Sequence, residues 1–341
     1  MNQHQAYITE ANASPIEAGN RNRFLLARYA EALLWLGRYV ERAESTARLL
    51  SVTHTFSQHN SSNTSWQSVV SLNADDERFK ATHPVLTQEA VKHFYLLDSE
   101  NPSSILSTVR NARENARTLR PVLSSEVWTQ LNVFYNRMAV LRPLDIADNN
   151  VVSICNFVRE SCQSHTGIAD GTFPRDQGWS FYRLGKFLER ADQITRLVDI
   201  KYHILLPRVE DVGTAVDVSQ WQALLRAAAG YHAFRRAHPR GIDPLTVAGF
   251  LLVNNSFPRS LSFCTTRLDN LLNDLRMQYG LRGGGKALEV IDEMRAAIAS
   301  RGIDVIVADG LHEYLDWVQS RLIDITDSLY DDFFRPTPQQ A

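Results

Sequence analysis

Cysteine is scarce in this chain, which contains only Cys155, Cys162 and Cys264 among its 341 residues. None of the three lies in a Cys-x-x-Cys pair or at a Cys/His spacing typical of zinc ligands, so the sequence argues against a zinc site and against a disulfide framework. No apolar run approaches the length of a membrane-spanning helix. The polar start of the chain, MNQHQAYITEANASPIEAGN, lacks the apolar core of a signal peptide. We therefore predict a cytoplasmic protein that has no membrane segment, no metal site and no cofactor.

An excess of charge of one sign is missing as well, since the formal net charge is −2 at pH 7. A chain with this balance has no overall attraction to nucleic acid or to an anionic membrane, so either partner would need a local basic patch. The balance therefore argues against extensive contact with nucleic acid. The 44% of hydrophobic and 22% of charged residues are normal for a globular protein.

What the sequence does contain is an internal duplication. LGRYVERAESTARLL at 36–50 aligns without gaps to LGKFLERADQITRLV at 184–198, with identical LG, ERA and RL letters. Further matches follow in the same order and at nearly the same offset: SWQSVV at 65–70 with QWQALL at 220–225, FKATHP at 79–84 with FRRAHP at 234–239, and FYLLDSENPSSI at 94–105 with FLLVNNSFPRSL at 250–261. Four matches in the same order, at offsets of 148, 155, 155 and 156 residues, indicate two copies of one structural unit.

Both copies have the apolar spacing of amphipathic helices, with apolar residues at steps of three and four. Strand-like alternation is scarce, and VIVAD at 305–309 is its nearest example. Thr87 and Asp243 are N-cap types, and Pro102 and Pro258 stand in matched sequences that predict two more helix starts. We therefore predict an all-α fold, a helical bundle built from two duplicated halves related by a pseudo-twofold axis.

The domain bounds follow from the extent of the duplication. We predict one helical domain over residues 22–335, with its first half at 24–150 and its second half at 170–335. Residues 1–21 are predicted to be a disordered leader and residues 336–341 a tail.

The duplicated helix carries a polar stripe beside its apolar face. Steps of four, three and four residues keep side chains on one face of a helix, and this spacing joins Gly37, Glu41, Glu44 and Arg48 in the first copy and Gly185, Glu189, Asp192 and Arg196 in the second. The charge types are the same in both copies. The glycine in each stripe predicts that another backbone or a ligand approaches closely.

Two interpretations of this stripe stay open. In the structural one, the acids and arginines form ion pairs four residues apart within each helix, or the two helices pack antiparallel so that Glu41 meets Arg196 and Glu189 meets Arg48. In the functional one, the interface opens into a polar cleft, in which carboxylates and guanidinium groups receive a substrate.

A second stripe occurs in the first half only. STVRNARENARTLRP at 107–121 places four guanidinium groups on one helical face, those of Arg110, Arg113, Arg117 and Arg120. Like-charged neighbours are unfavourable unless they are solvated or paired with acids or an anion. The stripe therefore either pairs with carboxylates of the same fold or lines an anion-binding cleft, which the second half would partly close.

Four stretches stand out beside the duplication: ERAESTARLL, ARENAR at 112–117, RDQGW at 175–179 followed by LGKFLERAD, and FPRSLSFC at 257–264. Together they resemble the bacterial alpha-E family, which is all-helical and is named for a recurrent Glu-Arg motif. The similarity covers about residues 22–330.

The resemblance, read together with the stripes, assigns candidate site residues. Matching the Glu-Arg motif onto this chain points to Glu41 and Glu189 as catalytic candidates. The substrate-binding candidates are basic or acidic residues of the two stripes and of RDQGW: Arg42, Glu44, Arg48, Arg190, Asp192, Arg196, Arg110, Arg113, Arg117, Arg120, Arg175 and Asp176. Asp176 is also placed to cap the second duplicated helix.

Members of the family are typically encoded beside circularly permuted ATP-grasp amide ligases and transglutaminase-like cysteine peptidases. The resemblance therefore implies a role in ATP-dependent peptide synthesis or peptide tagging, with the ligase as the expected partner and a transglutaminase-like protein as a second one. Two function classes stay open. The protein is either a helical binding or adaptor subunit that presents a peptide or anionic small molecule, or an enzyme of amide-bond or acyl-transfer chemistry with a Glu general acid/base and an Arg clamp. Because the sequence shows no recognisable nucleophile or metal site, it favours the adaptor.

Overall fold

The structure, a computed structural model, describes residues 25–58, 64–203 and 215–335. Over these ranges the chain forms fourteen α-helices and no strand, which confirms the predicted all-α class. VIVAD, the nearest candidate for a strand, lies within the last α-helix. In the same ranges, no helix combines the length and the apolarity that crossing a membrane takes. The predicted leader and tail lie outside the described residues.

In chain order the helices are α1 (Ala27–Ser57), α2 (Thr64–Leu72), α3 (Asp76–Thr82), α4 (Gln88–Leu96), α5 (Ile105–Thr118), α6 (Ser125–Ala139), α7 (Asp148–Thr172), α8 (Gln177–His203), α9 (Ala215–Ala227), α10 (Tyr231–Ala237), α11 (Pro244–Leu252), α12 (Leu261–Met277), α13 (Gly285–Ser300) and α14 (Ile303–Leu329). A 3-10 turn at Pro143–Ile146 precedes α7, and a π-helical turn at Tyr330–Phe334 continues α14. Residue 150, the predicted end of the first half, lies within α7, and residues 173–176 separate α7 from α8. The division into two halves stays a prediction.

Side-chain caps explain where several helices begin. Thr87 and Asp243 accept hydrogen bonds from the first turns of α4 and α11, as predicted. Ser104 and Ser260, in the two matched Pro-x-Ser sequences, cap α5 and α12 in the same way. These predicted helix starts are therefore confirmed.

Two long helices, α1 and α8, lie against each other at the centre of the molecule. α5 and α7 pack on α1, and α6 packs on both of these helices; likewise, α12 and α14 pack on α8, and α13 packs on both. The predicted contact between the two copies of the duplicated helix is therefore confirmed. The superposition of the two halves about a pseudo-twofold axis stays a prediction.

Glycine allows the two central helices to approach closely. A Cβ atom added at Gly185 would lie 1.8 Å from the carbonyl oxygen of Leu34, and one added at Gly37 would lie 2.2 Å from that of Tyr182. Both distances are far below van der Waals contact, and both obstacles are backbone atoms that cannot rotate away. The close approach predicted from the glycines is thus between two backbones.

We predict that Gly37→Ala and Gly185→Ala each lower the free energy of unfolding by about 1–3 kcal/mol, because the new methyl group forces the helices apart. The matched control is Gly167→Ala in α7, where an added Cβ meets no atom within 4 Å. This control should stabilise the protein by about 0.5–1 kcal/mol, since alanine is the better helix former. Urea unfolding of the three variants measures the effect, and unchanged midpoints for both central glycines would contradict the packing.

Candidate functional site

Glu189 of α8 is completely buried and is held by two arginines of α1. The Nε atom of Arg42 donates to Oε1 at 2.6 Å, and its Nη2 donates to Oε2 at 2.8 Å. The Nε atom of Arg38 donates to Oε2 at 3.0 Å. Both oxygens of this carboxylate therefore have cationic donors from the neighbouring helix.

Glu41 of α1 has a reciprocal arrangement and is also buried. Its Oε2 lies 2.9 Å from Nε of Arg190, the α8 residue that matches Arg42 in the duplicated motif. Its Oε1 accepts a hydrogen bond from Arg259, which directly precedes the N-cap of α12. Lys186 adds a further positive charge nearby. The two Glu-Arg pairs of the sequence thus exchange partners across the interface of α1 and α8.

The antiparallel packing, one form of the structural interpretation, is wrong, because α1 and α8 run parallel. Gly185 lies on Leu34, and further along both helices in the same direction Arg190 pairs with Glu41. In a parallel pair, residues at equivalent positions are neighbours. Arg42 and Arg190, which directly follow the two glutamates, therefore reach the glutamate of the other helix. Arg48 and Arg196 follow the glutamate of their own helix by seven residues and lie about 10 Å further along the axis.

Burial, the largest influence on these two carboxyl groups, raises their pKa, but the arginines outweigh it. The net effect is to lower the pKa of Glu41 and of Glu189 to about 2. A general acid or base must exchange a proton near neutral pH and must reach its substrate. Both glutamates are buried and ionised at neutral pH, so the geometry favours their structural interpretation over the catalytic one.

The polar stripe of α1 continues this network toward the surface. Glu44 Oε1 lies 3.1 Å from Nη2 of Arg259 and 2.7 Å from Nη2 of Arg48. Arg259 therefore bridges the two acids of the stripe. We use the term ion chain for the resulting series, which runs in the order Arg190, Glu41, Arg259, Glu44 and Arg48. The chain ends at Arg48, whose side chain is 13% exposed.

Arg48 lines a cavity of about 1040 Å³ between α1, α7, α9 and α10. Arg159 of α7 and Arg226 of α9 stand in the same lining, and we call the cavity the arginine pocket. Its other lining residues are Ser51, Val52, Thr55, Phe56, Ser219, Gln222, Ala223, Ala229, Tyr231 and His232. Among the described residues, no carboxylate lines this cavity. Glu44 behind the wall offsets the charge of Arg48, and Arg159 and Arg226 make the lining cationic.

The three arginines of the pocket have contacts of different kinds, and Arg48 donates both Nε and Nη2 to Glu44. The Nη1 atom of Arg159 donates to Asn156 at 2.9 Å, while its Nε is buried and has no acceptor among the described residues. The guanidinium group of Arg226 lies 4.3 Å from the ring centroid of Tyr231. Guanidinium groups bind carboxylates and phosphates through paired, charge-assisted hydrogen bonds. The pocket therefore has the chemistry of an oxyanion receptor.

A second large cavity, of about 1070 Å³, lies between α12 and α13 and also contains arginines. Its charge is offset, because Asp292 stands in the lining and Arg295 pairs with both Asp292 and Asp269. Arg301 of the same lining lies 4.0 Å from Asp309. This cavity is therefore a weaker candidate for anion binding than the arginine pocket.

The four-arginine stripe of α5 faces α6, and its contacts are to residues of the first half. Arg113 donates to Asn132 at 2.7 Å and lies over the rings of Trp128 and Tyr135. Arg113 and Arg117 both pair with Glu114, Arg110 donates to the backbone oxygen of Ser99, and Arg120 lies over the ring of Trp128. Only part of the stripe is paired with a carboxylate, and its main neighbour is α6 where we expected the second half.

The other sequence candidates have local partners. Arg196 pairs with Asp192 at 2.9 Å, which is the predicted contact four residues apart within α8. Arg175 pairs with Asp170 at 3.0 Å and stacks on Trp179. The remaining candidate, Asp176, accepts from the backbone nitrogen of Trp179 at 3.1 Å, so the predicted cap of α8 is confirmed.

Sequence reasoning missed several residues of the network and of the pocket. Arg38 and Lys186 are matched basic positions of the duplicated motif, and Arg259 lies in the FPRSLSFC signature, so each left a usable signal. Lys186 is buried beside Glu41, and burial lowers its pKa to about 8. Arg159 and Arg226 left no such signal, because neither belongs to a repeat or a motif.

A small cluster of two acids and a histidine lies between α8 and α14. The Nδ1 atom of His312 lies 2.8 Å from Asp199, and its Nε2 lies 3.5 Å from Asp316. The hydrogen bond to Asp199 raises the pKa of His312. Because each ring nitrogen faces a carboxylate, this geometry is that of a protonated histidine between two acids.

The fold and the network define a class of all-helical proteins whose central helices exchange Glu-Arg ion pairs. The sequence profile of the alpha-E family, described as a predicted alpha-helical domain with a conserved ER motif, matches residues 25–334, and the chain belongs to this family. Uncharacterized proteins of Mycobacterium bovis and Mycobacterium tuberculosis are each 26% identical to it over 330 residues. These alignments cover 87% of this chain but 36% of each relative, so the chain spans about a third of their length. No solved structure matches the chain.

We predict that Glu41→Gln and Glu189→Gln each lower the free energy of unfolding by about 3–5 kcal/mol, because each change leaves buried guanidinium groups without their counter-charge. Thermal melts measure this loss. The control is Glu77→Gln, whose partner Lys80 is exposed and which should leave the melting temperature unchanged. A variant that kept its stability would show that its carboxylate does not hold the two helices together.

We predict that acid weakens the interface of α1 and α8, because Glu41 and Glu189 hold it together in their ionised form. Their pKa falls from an ordinary 4.5 to about 2 on folding, so their contribution to stability is complete above 4.5 and is lost as the pH falls toward 2. The difference in free energy of unfolding between wild type and Glu189→Gln should therefore be largest near neutral pH and should narrow steadily below pH 4.5. Urea titrations at a series of pH values measure the difference. A gap that stayed constant down to pH 3 would contradict the depressed pKa, whose folded value is about 2.

Proposed function

We propose that the protein is a helical binding subunit, which holds an anionic ligand in the arginine pocket and presents it to a circularly permuted ATP-grasp ligase. The observation that carries this proposal is the placement of Arg48, Arg159 and Arg226 around one cavity, to whose lining the described part of the chain contributes no carboxylate. A volume of about 1040 Å³ is that of a site for a short peptide or another ligand of comparable size.

The chemistry of an ATP-dependent amide ligase agrees with this pocket. Such an enzyme activates a carboxylate and joins it to an amine, and a carboxylate is a group that guanidinium groups recognise. The ligase itself is inferred from the resemblance of the chain to its family. A binding subunit that delivers the carboxylate would give the arginine pocket a direct role in that reaction.

The enzymatic alternative has less support from the side chains. Glu41 and Glu189 were its candidate acids and bases, and their ion pairs keep both ionised. The three cysteines are buried, and burial raises the pKa of their thiols, to about 12 for Cys155 and Cys264. A protonated, buried thiol is a poor nucleophile. These observations favour binding over covalent catalysis.

We predict that Arg159→Gln combined with Arg226→Gln abolishes ligand presentation while the fold stays intact, because neither residue belongs to the ion chain. The assay mixes the protein with the ATP-grasp ligase, ATP and amino acids, and follows ATP turnover and product mass. Wild type should stimulate turnover, and the double variant should not.

The matched control is Arg113→Gln combined with Arg117→Gln, which removes the same charge from the α5 stripe. This control should behave as wild type. Loss of stimulation in the stripe variant alone would move the anion site to α5, and equal stimulation by all three proteins would contradict a role for either site.

A further inference from the structure

The cavity of about 1070 Å³ between α12 and α13 is lined by charges of both signs that do not pair with each other. Arg267 lies on its α12 side and Asp292 on its α13 side. Among the described residues, Arg267 has no carboxylate partner, and its guanidinium group lies 4.9 Å from the ring centroid of Phe263 in the same lining. A guanidinium group that stacks on a ring keeps the N–H groups at its edge for an anion.

The carboxylate of Asp292 has acceptor capacity left for a ligand. Its side chain is 68% exposed, and its contact with Nη1 of Arg295 is a long one of 3.4 Å. The same Nη1 atom donates to Asp269 at 2.9 Å, so Asp269 is the closer partner of Arg295. Because a carboxylate offers about four acceptor positions, Asp292 can accept hydrogen bonds from a cation that enters the cavity.

The ion pair of Asp269 and Arg295 fixes the register of α12 against α13, which are consecutive, pack on each other and are joined by residues 278–284. Two packed helices with such a short connection run antiparallel. Arg267 precedes Asp269 by two residues, and Asp292 precedes Arg295 by three. Arg267 and Asp292 therefore lie on opposite sides of the ion pair, at levels about 7–8 Å apart along the axes. With about 8–10 Å between the axes of packed helices, their backbones are about 12 Å apart.

We propose that this cavity binds a short peptide with free termini, whose ammonium group is received by Asp292 and whose carboxylate is received by Arg267. Arg301 lines the same end of the cavity as Arg267 and adds to its positive charge. Three residues of extended chain span about 10 Å, which is comparable to the distance between Arg267 and Asp292. Asn255 and Asn270 of the lining supply hydrogen-bonding groups for the peptide units between the termini. Opposite charges at the two ends distinguish this site from the arginine pocket, which is a receptor for anions.

The test is isothermal titration calorimetry with trialanine, N-acetyl-trialanine and trialanine amide. The protein titrated is the Arg159→Gln, Arg226→Gln variant, so that the arginine pocket does not contribute a second site for the carboxylate. Trialanine should bind about tenfold more tightly than either blocked peptide, because each block removes one charge-assisted pair. Wild type should bind trialanine at least as tightly as this variant.

Asp292→Asn, added to this variant, should bind trialanine and N-acetyl-trialanine equally and should still bind the acid more tightly than the amide. Arg267→Gln combined with Arg301→Gln should show the reverse pattern. The matched control is Glu77→Gln, which removes a carboxylate from an exposed ion pair elsewhere and should keep both preferences. Circular dichroism melts verify that all variants are folded.

No binding of trialanine, or equal binding of the three peptides, would overturn the proposal. A preference for the free ammonium group that survives Asp292→Asn would also overturn it, because the peptide would then lie elsewhere. None of these results depends on the arginine pocket, whose role is measured by stimulation of the ligase. Failure of this site and failure of the proposed function are therefore distinguishable.

Discussion

The close crossing of α1 and α8 is the constraint on which the rest of the structure depends. Gly37 and Gly185 bring the two backbones together so tightly that the neighbouring Glu41 and Glu189 are sealed from water. A buried carboxylate is strongly unfavourable unless it is paired and hydrogen-bonded. Each glutamate therefore needs arginines from outside its own helix, and these arginines fix how the surrounding elements pack.

The ion chain runs from the crossing of α1 and α8 toward the surface. Arg259 enters from the start of α12 and bridges Glu41 and Glu44, and Glu44 in turn holds Arg48 at the arginine pocket. The inner residues of this network hold the crossing together, and Glu44 restrains the outer arginine, Arg48, at the wall of the pocket.

Local signals in the sequence predicted local structure well. The segments with periodic apolar residues form helices in both copies, and Thr87 and Asp243 cap helices. The glycines of the duplicated motif lie at a close contact of two backbones. These features depend on residues within a few positions of one another, or on the absence of a side chain. The sequence did not predict the direction of the partner helix, because a stripe of charges can pair with a parallel neighbour as well as with an antiparallel one.

By itself, the sequence determined the all-α class, the duplicated helix and the need of its glutamates for cationic partners, since helical periodicity and charge spacing are properties of one segment. The tertiary structure alone decided which cations these are. Arg259 reaches Glu41 across 218 positions of the chain, and the arginine pocket combines side chains of α1, α7 and α9. The spacing of residues within one helix does not predict these contacts, because they form only when separate helices pack to bury their apolar faces.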